Sequence, residues 1–339
     1  MKISCLLIWI IWGMLAGEVR GQESYRIVSY NVENLFDTAD DPNTLDDDFT
    51  PLGKQHWTAE RYNSKILKIG KVLEAVGEGT LPAFIGLCEV ENRVVLTDLI
   101  TKSSLNRGNY AIAHKDSPDD RGIDVALLYD RSCFRLLGQD FIFVNFPEDS
   151  LLFTRDILYV SGILADQDTL HFFVCHFPSM FGGETASEWK RERAARLLKV
   201  RIDSIQEENP GSAIIVMGDL NGRADRPAQS KVLGTINPDT GQWEDTGLYN
   251  TGYYLLKEKY GSYKYRGKWQ TLDHIIVSGA LLNGSGHFRA DRHLVPYFVP
   301  FLLEEEKTGN AYKPFRTYSG TIYRGGYSDH LPVYLDLKK

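Results

Sequence analysis

Apolar residues come in short blocks along this chain, and their spacing changes character from one block to the next. From Tyr25 the run YRIVSYNVENLF is β-rich, with its polar residues clustered at the far end. An acidic, turn-rich stretch from Asp37 to Pro51 reads as a loop. Between Lys65 and Val76 (KILKIGKVLEAV) the apolar positions recur at helical spacing and Gly77 stands at the natural stop, which predicts an amphipathic helix. LPAFIGLCEV follows as a buried strand and residues 92–104 as a second helix. YAIAHKD, GIDVALLYD, FRLLGQDFIFV, DILYVSGILA and TLHFFVCHF then supply five strands in succession. The longest helix is expected from Ser187 to Glu208, opened by a capping box of Thr185 and Glu188. AIIVMGDLN reads as another buried strand, residues 226–236 as a short helix, and WQTLDHIIVSG and HLPVYLDL as the last clear strands.

Many strands with a few interspersed helices predict an α/β fold of two packed sheets flanked by helices. No fixed-period repeat, low-complexity tract or Gly/Pro/Ser linker divides the chain, so one domain is expected. With 339 residues, 43% of them hydrophobic, it can bury a full core. The N-terminus stands apart. Lys2 precedes an apolar run from Ile3 to Leu15 and then small residues, the layout of a secretory signal, with Val19 and Gly21 at the cleavage site. The expected organisation is a signal peptide over residues 1–21 and a single catalytic domain over 22–339, exported to the periplasm or the extracellular space. The formal charge is 38 − 45 = −7, and removal of Lys2, Glu18 and Arg20 makes it 36 − 44 = −8. That balance argues against a protein that grips nucleic acid or anionic membrane through a broad basic surface. Of four cysteines, Cys5 leaves with the signal; Cys88, Cys133 and Cys175 lie in strand-like runs and are read as buried thiols rather than a disulfide framework.

Polar residues capable of catalysis recur at the ends of the apolar runs, where strand termini deliver side chains to a shared rim. In GDLNGR an extended backbone would aim Asp219 and Asn221 to one face; SYNVEN does the same for Asn31 and Glu33, and LCEVEN for Glu89 and Glu91. VCHFPS places His176 directly after a buried run, while LDHIIVSG and SDHLPVYLDL place Asp273, Asp329 and His330 just before one. There is no H-E-x-x-H of a zinc hydrolase and no G-x-S-x-G elbow of a serine hydrolase.

The ordered series SYNVEN, LCEVEN, CHFPS, GDLN, LDH and SDHLPV resembles the endonuclease/exonuclease/phosphatase superfamily, which includes pancreatic deoxyribonuclease, abasic-site endonucleases, inositol-polyphosphate phosphatases and bacterial sphingomyelinases. The resemblance runs from Arg26 to Leu337. It implies a deoxyribonuclease-like four-layer α-β-β-α sandwich of two mainly antiparallel mixed sheets, and a divalent-metal-dependent phosphoester hydrolase. Asn31 and Glu89 then resemble the metal-end residues, with Asp329 a third ligand, and oxygen donors of this kind suit Mg²⁺ or Mn²⁺. His176 and His330 resemble the two histidines at the scissile phosphate, Asp219 and Asn221 the pair that orients the attacking water, and Asp273 an orienting acid. Asp273 is also the carboxylate available to keep a histidine charged near neutrality.

Substrate signals are thinner. Arg121 opens a strand and is placed to grip an anion; Ser179 lies in the hydroxyl-bearing loop after His176; Arg223 resembles an arginine of the phosphatase branch. The long aromatic segment from Leu282 to Tyr327 is expected to decide specificity, either by stacking on substrate or as a packed hairpin insertion. The leading expectation is a monomeric, exported nuclease or phosphodiesterase acting on nucleic acid. A phosphatase or a lipid or sugar phosphodiesterase on the same scaffold is the alternative, and a catalytically silent binding protein the third.

Overall fold

The computed structural model describes residues 24–306 and 311–339; the expected signal peptide lies outside the described residues. The strands are β1 (Ser24–Leu35), β2 (Phe84–Val90), β3 (Tyr110–His114), β4 (Asp124–Asp130), β5 (Phe134–Ile142), β6 (Ile157–Leu164), β7 (Asp168–His176), β8 (Ala213–Asp219), β9 (Leu248–Asn250), β10 (Tyr263–Tyr265), β11 (Lys268–Gln270) and β12 (Asp273–Ser278). Short pieces follow: β13 (Arg289–Ala290), β14 (Val295–Pro296), β15 (Leu303–Glu305), β16 (Tyr312–Pro314), β17 (Tyr318–Ser319) and β18 (Ile322–Tyr323), then β19 (Val333–Lys338). The longer helices are α1 (Ala59–Val76), α2 (Arg93–Lys102) and α3 (Glu188–Glu208).

Two large sheets form. One has the order β13-β19-β1-β2-β4-β3 with β14 also on β19; the other runs β5-β6-β7-β8-β12-β9. Each contains one parallel pair, β1 with β2 and β7 with β8, and the other large-sheet pairings are antiparallel. The parallel pairs are those joined through α1 and α3, as a helix crossover requires.

Period-two alternation explains the layering. In β2, Phe84 and Cys88 face the other sheet, whereas Ile85 and Leu87 meet Ile66, Ile69, Val95 and Leu99 of α1 and α2. In β8, Ile215 and Met217 join the inter-sheet core, and Ile214 and Val216 pack under Ala194, Leu198 and Ile202 of α3. The result is the α-β-β-α sandwich of two mixed sheets that the resemblance implied. Gly86 permits close approach of the layers, since a Cβ there would lie 2.9 Å from the Met217 sulfur.

Several local expectations are corrected. No side-chain cap forms at the start of α3; Glu188 instead accepts from Arg191 and from the Ala228 amide, so a buried ion pair takes the carboxylate that a capping box would use. Asn221 has φ 47°, and Glu33 and Glu89 have φ 52° and 63°, so the strand ends are bent rather than extended and the same-face argument fails there. WQTLDHIIVSG divides: Trp269 and Gln270 belong to the β10–β11 hairpin, and the buried strand begins only at Asp273. The aromatic segment is largely a packed insertion, with Tyr297, Phe301, Tyr318, Tyr323 and Tyr327 against the α1 side of the core; Phe298 and Tyr312 remain exposed.

Candidate active site

The register of the second sheet builds the site's centre. Asp219, the last residue of β8, stands opposite His176 across the parallel pair and opposite Asp273 across the antiparallel one. Gly218 before it has φ 135°, and a Cβ there would lie 1.9 Å from the Cys175 carbonyl oxygen, so only glycine allows β7 and β8 to meet this closely. The other sheet contributes Asn31 from β1 and Glu89 from β2. His330 comes from the turn before β19, where its amide donates to Ser328 Oγ (3.0 Å) and that hydroxyl donates to the Asn31 carbonyl (2.7 Å). Loop and sheet are therefore tied together.

Asp219 Oδ2 is the meeting point. Asn31 Nδ2 donates to it at 3.1 Å, while His176 Nε2 and His330 Nε2 both lie 3.7 Å away. All are buried. His330 Nδ1 lies 2.7 Å from Asp273 Oδ2, and the ring of Tyr263 is 4.7 Å from the imidazole, centroid to centroid. Burial alone would depress His330, yet Asp273 and Asp219 hold its pKa well above the ordinary value. His176 goes the other way: burial, with Arg155 and Arg121 nearby, pushes it well below, and its Nδ1 has no hydrogen-bond partner. The two rings are thus pushed in opposite directions, His330 toward the charged form and His176 toward the neutral one. Asp219 is pushed up to about 7 by burial and by Asp273, against the pull of His330.

Beside this centre lies a crowded acidic end. Glu89 accepts from Asn31 Nδ2 (3.3 Å) and from the Asn34 amide (2.9 Å). Glu33 accepts from the Thr317 amide (2.6 Å), and burial together with Asp329 pushes it up to about 7. Asp329 pairs with Arg316 at 2.5 Å. The fully buried Lys65 of α1 donates to Thr317 Oγ1 (2.5 Å) and the Tyr327 carbonyl (2.6 Å), and burial lowers it to about 8 despite Glu33 and Asp329. Glu33, Glu89, Asp219, Asp273 and Asp329 thus crowd together, with Lys65, Arg316 and His330 among them. Hard carboxylate and amide oxygens of this kind fit a divalent cation of the Mg²⁺ or Mn²⁺ type.

Of the residues singled out in the sequence, Asn31, Glu89, His176, Asp219, Asp273 and His330 converge, with Asp329 at the margin. Asn221 is present but committed: its side-chain amide donates to the Phe177 carbonyl (2.9 Å) and its backbone amide to Asp219 Oδ1 (2.9 Å), which pins the loop after His176. Arg121 lies close enough to depress His176 and donates to Asn34 Oδ1. Ser179 is exposed and accepts from the Phe181 amide, and Arg223 is half-exposed and paired with Asp225 at 2.6 Å; neither makes a contact with the central cluster.

Sequence reading missed Arg155, which donates to Asp119 and to the Phe177 carbonyl, both at 2.9 Å, and so holds the backbone next to His176. The missed signal was an arginine immediately before a buried strand, the mirror image of the strand-end pattern. Lys65 and Arg316 gave no signal, because in sequence they are indistinguishable from surface residues.

No curated protein sequence matches the chain. Among solved structures, truncated Caenorhabditis elegans TDP2 superimposes with a TM-score of 0.56 at 14% identity, covering 93% of this chain and 98% of that one. An endonuclease/exonuclease/phosphatase family protein from Bacteroides thetaiotaomicron gives 0.54 at 14% identity, over 93% of this chain and 94% of that one. The human Nocturnin catalytic domain with bound sulfate gives 0.52 at 16% identity, over 93% and 94%. At such identities the likeness speaks for the fold alone. The sequence model of the endonuclease/exonuclease/phosphatase family, however, matches residues 26–339, nearly the whole chain, and the protein belongs to that family of metal-dependent phosphoester hydrolases.

Proposed function

We propose that this protein is an exported phosphodiesterase, most simply an endonuclease, in which Asp219 activates water and His176 and His330 act on the phosphate. The observation that carries this reading is the convergence of Asn31, His176 and His330 on Asp219 Oδ2. Asp219 takes a proton from the attacking water, worth ~10²–10⁴ in rate for a placed base. His330, kept charged by Asp273, gives its proton to the departing alkoxide as the P–O bond breaks. Neutral His176 offers one ring N–H to a phosphoryl oxygen. Asn221 and Arg155 position His176 by holding the Phe177 carbonyl. Glu89, with Asn31 and Asp329 beside it, would hold the Mg²⁺ or Mn²⁺. When bound, the ion supplies positive charge where the phosphoryl oxygens become more negative.

Nucleic acid is the favoured substrate. Zebrafish (D. rerio) TDP2 has been solved with a single-strand DNA product, and its fold matches this chain over 94% of its length with a TM-score of 0.53. Export rests on the charged start and apolar run at residues 2–15. The purified chain should hydrolyse plasmid or single-stranded DNA with Mg²⁺ or Mn²⁺ and lose most of that activity as Glu89→Gln. Preferential turnover of sphingomyelin, inositol phosphates or a phosphomonoester in the same assay would move the assignment to the lipid or phosphatase alternatives. No turnover of any of these would leave only the binding-protein reading.

A further inference from the structure

A second cluster of ligating side chains sits at the β3–β4 end of the first sheet. β3 ends on His114 and β4 begins with Asp124, so the loop between them folds back over its own strand ends. The His114 side chain is 2% exposed, yet its Nε2 makes no hydrogen bond. Nε2 faces Asp124 Oδ2 at 3.7 Å and Nδ1 faces Asp116 Oδ1 at 3.9 Å, both too long for hydrogen bonds. Asp124 uses its other oxygen, Oδ1, to accept from the Ser117 amide (3.0 Å). Ligand atoms from His114, Asp116 and Asp124 all lie within 4.8 Å of one another. Nearby, Asp156 Oδ1 is a further buried acceptor without a partner, its other oxygen 3.4 Å from Lys115.

A buried ring nitrogen left unbonded is costly, and a native structure rarely tolerates one without a reason. Metal–ligand bonds of 2.0–2.2 Å set tetrahedral ligand edges of about 3.3–3.6 Å. The 3.7 Å between His114 Nε2 and Asp124 Oδ2 is longer than a hydrogen bond and close to such an edge. Asp116 approaches the ring on its Nδ1 side, and its exposed side chain would have to swing across to join an ion held at Nε2. We infer that His114, Asp116 and Asp124 form a second cation site, separate from Glu89, that takes a zinc-type divalent ion. An imidazole with two carboxylates suits zinc better than Mg²⁺, which favours oxygen alone.

The loop gives the site a consequence. It also carries Asp119, the partner of the Arg155 that holds the Phe177 carbonyl, and Arg121, which reaches the surroundings of His176. An ion at its base would fix both.

The test uses the full chain stripped of metal, in the Glu89→Gln background so that the catalytic site does not confuse the count. Calorimetric titration with zinc alone, checked by elemental analysis after dialysis, should give one ion per chain. Adding Asp116→Asn, whose native side chain is 78% exposed, should weaken zinc binding at least about tenfold, and His114→Gln should do the same or more. Thermal melting shows whether His114→Gln folds; if it does not, Asp116→Asn decides. A Glu89→Gln chain that binds no zinc, or an Asp116→Asn variant that binds it undiminished, overturns the site.

Discussion

His176 and His330 are both buried and equally far from Asp219 Oδ2, but their pKa values are pushed in opposite directions. The difference lies in what stands behind each ring. His330 backs onto Asp273, a buried carboxylate 2.7 Å from Nδ1. His176 has Arg155 and Arg121 in its neighbourhood, and no carboxylate reaches its Nδ1. Position alone therefore does not set a histidine's protonation, and the second contact of the ring sets the direction in which it is pushed.

Experiments can break this asymmetry. The largest effect is expected from Asp219→Asn, which removes the acceptor both rings face; kcat should fall toward the upper end of ~10²–10⁴ with the fold retained. Next, His330→Ala should cost about 10²-fold or more, and Asp273→Asn should approach it because the ring then loses the partner of its charge. If Asp273→Asn leaves kcat and its pH profile unchanged, His330 does not act as an imidazolium. His176→Ala should cost about 10²-fold without removing an ionisation from the profile, and the double histidine variant should lose well short of the product of the singles if the two act as one unit. A pH limb that disappears with His176 instead of His330 would reverse the assignment.

The smallest effect is on stability. Asp219 and Glu33 sit near 7 when folded, against ordinary values of 3.8 and 4.5. Between about pH 4 and 7 the folded chain then holds more protons than the unfolded one, so stability falls as pH rises through that window. A divalent ion binding the deprotonated folded site opposes the fall, and the gain in Tm from Mg²⁺ should be larger at pH 8 than at pH 5. An equal gain at both values would mean that the protonation of these carboxylates is not coupled to the ion held at Glu89.

Much of this was legible in the chain. Strands buried on both faces announce themselves as apolar runs such as AIIVM and FFVC, and a polar residue at or just past the end of each, Asp219 and His176, marks the rim. What stayed hidden was of two kinds. Backbone bends at Glu33, Glu89 and Asn221 leave no trace in residue type beyond the single asparagine, so the aim of each side chain was misjudged. Buried cations were invisible for the opposite reason. Lys65 lies on a helix whose spacing is otherwise ordinary, and only the fold brings Glu33 and the Thr317–Tyr327 turn onto it. The substrate residues suffered most, since loops such as the one bearing Ser179 carry no periodicity to place them.

The closing of the first sheet by β19 against β1 bears on how the protein comes into being. Chains are made from the N-terminus, and early segments begin to fold while later ones are still unmade. Here β1 can pair early with β2 but waits for its second partner from the other end of the sequence, and Asp329 and His330 travel with that partner. Asp219 and His176 can pair within their own sheet much earlier. A half-made chain therefore holds Asp219 and His176 without His330, and the cluster around Asp219 Oδ2 is complete only when the last strand docks.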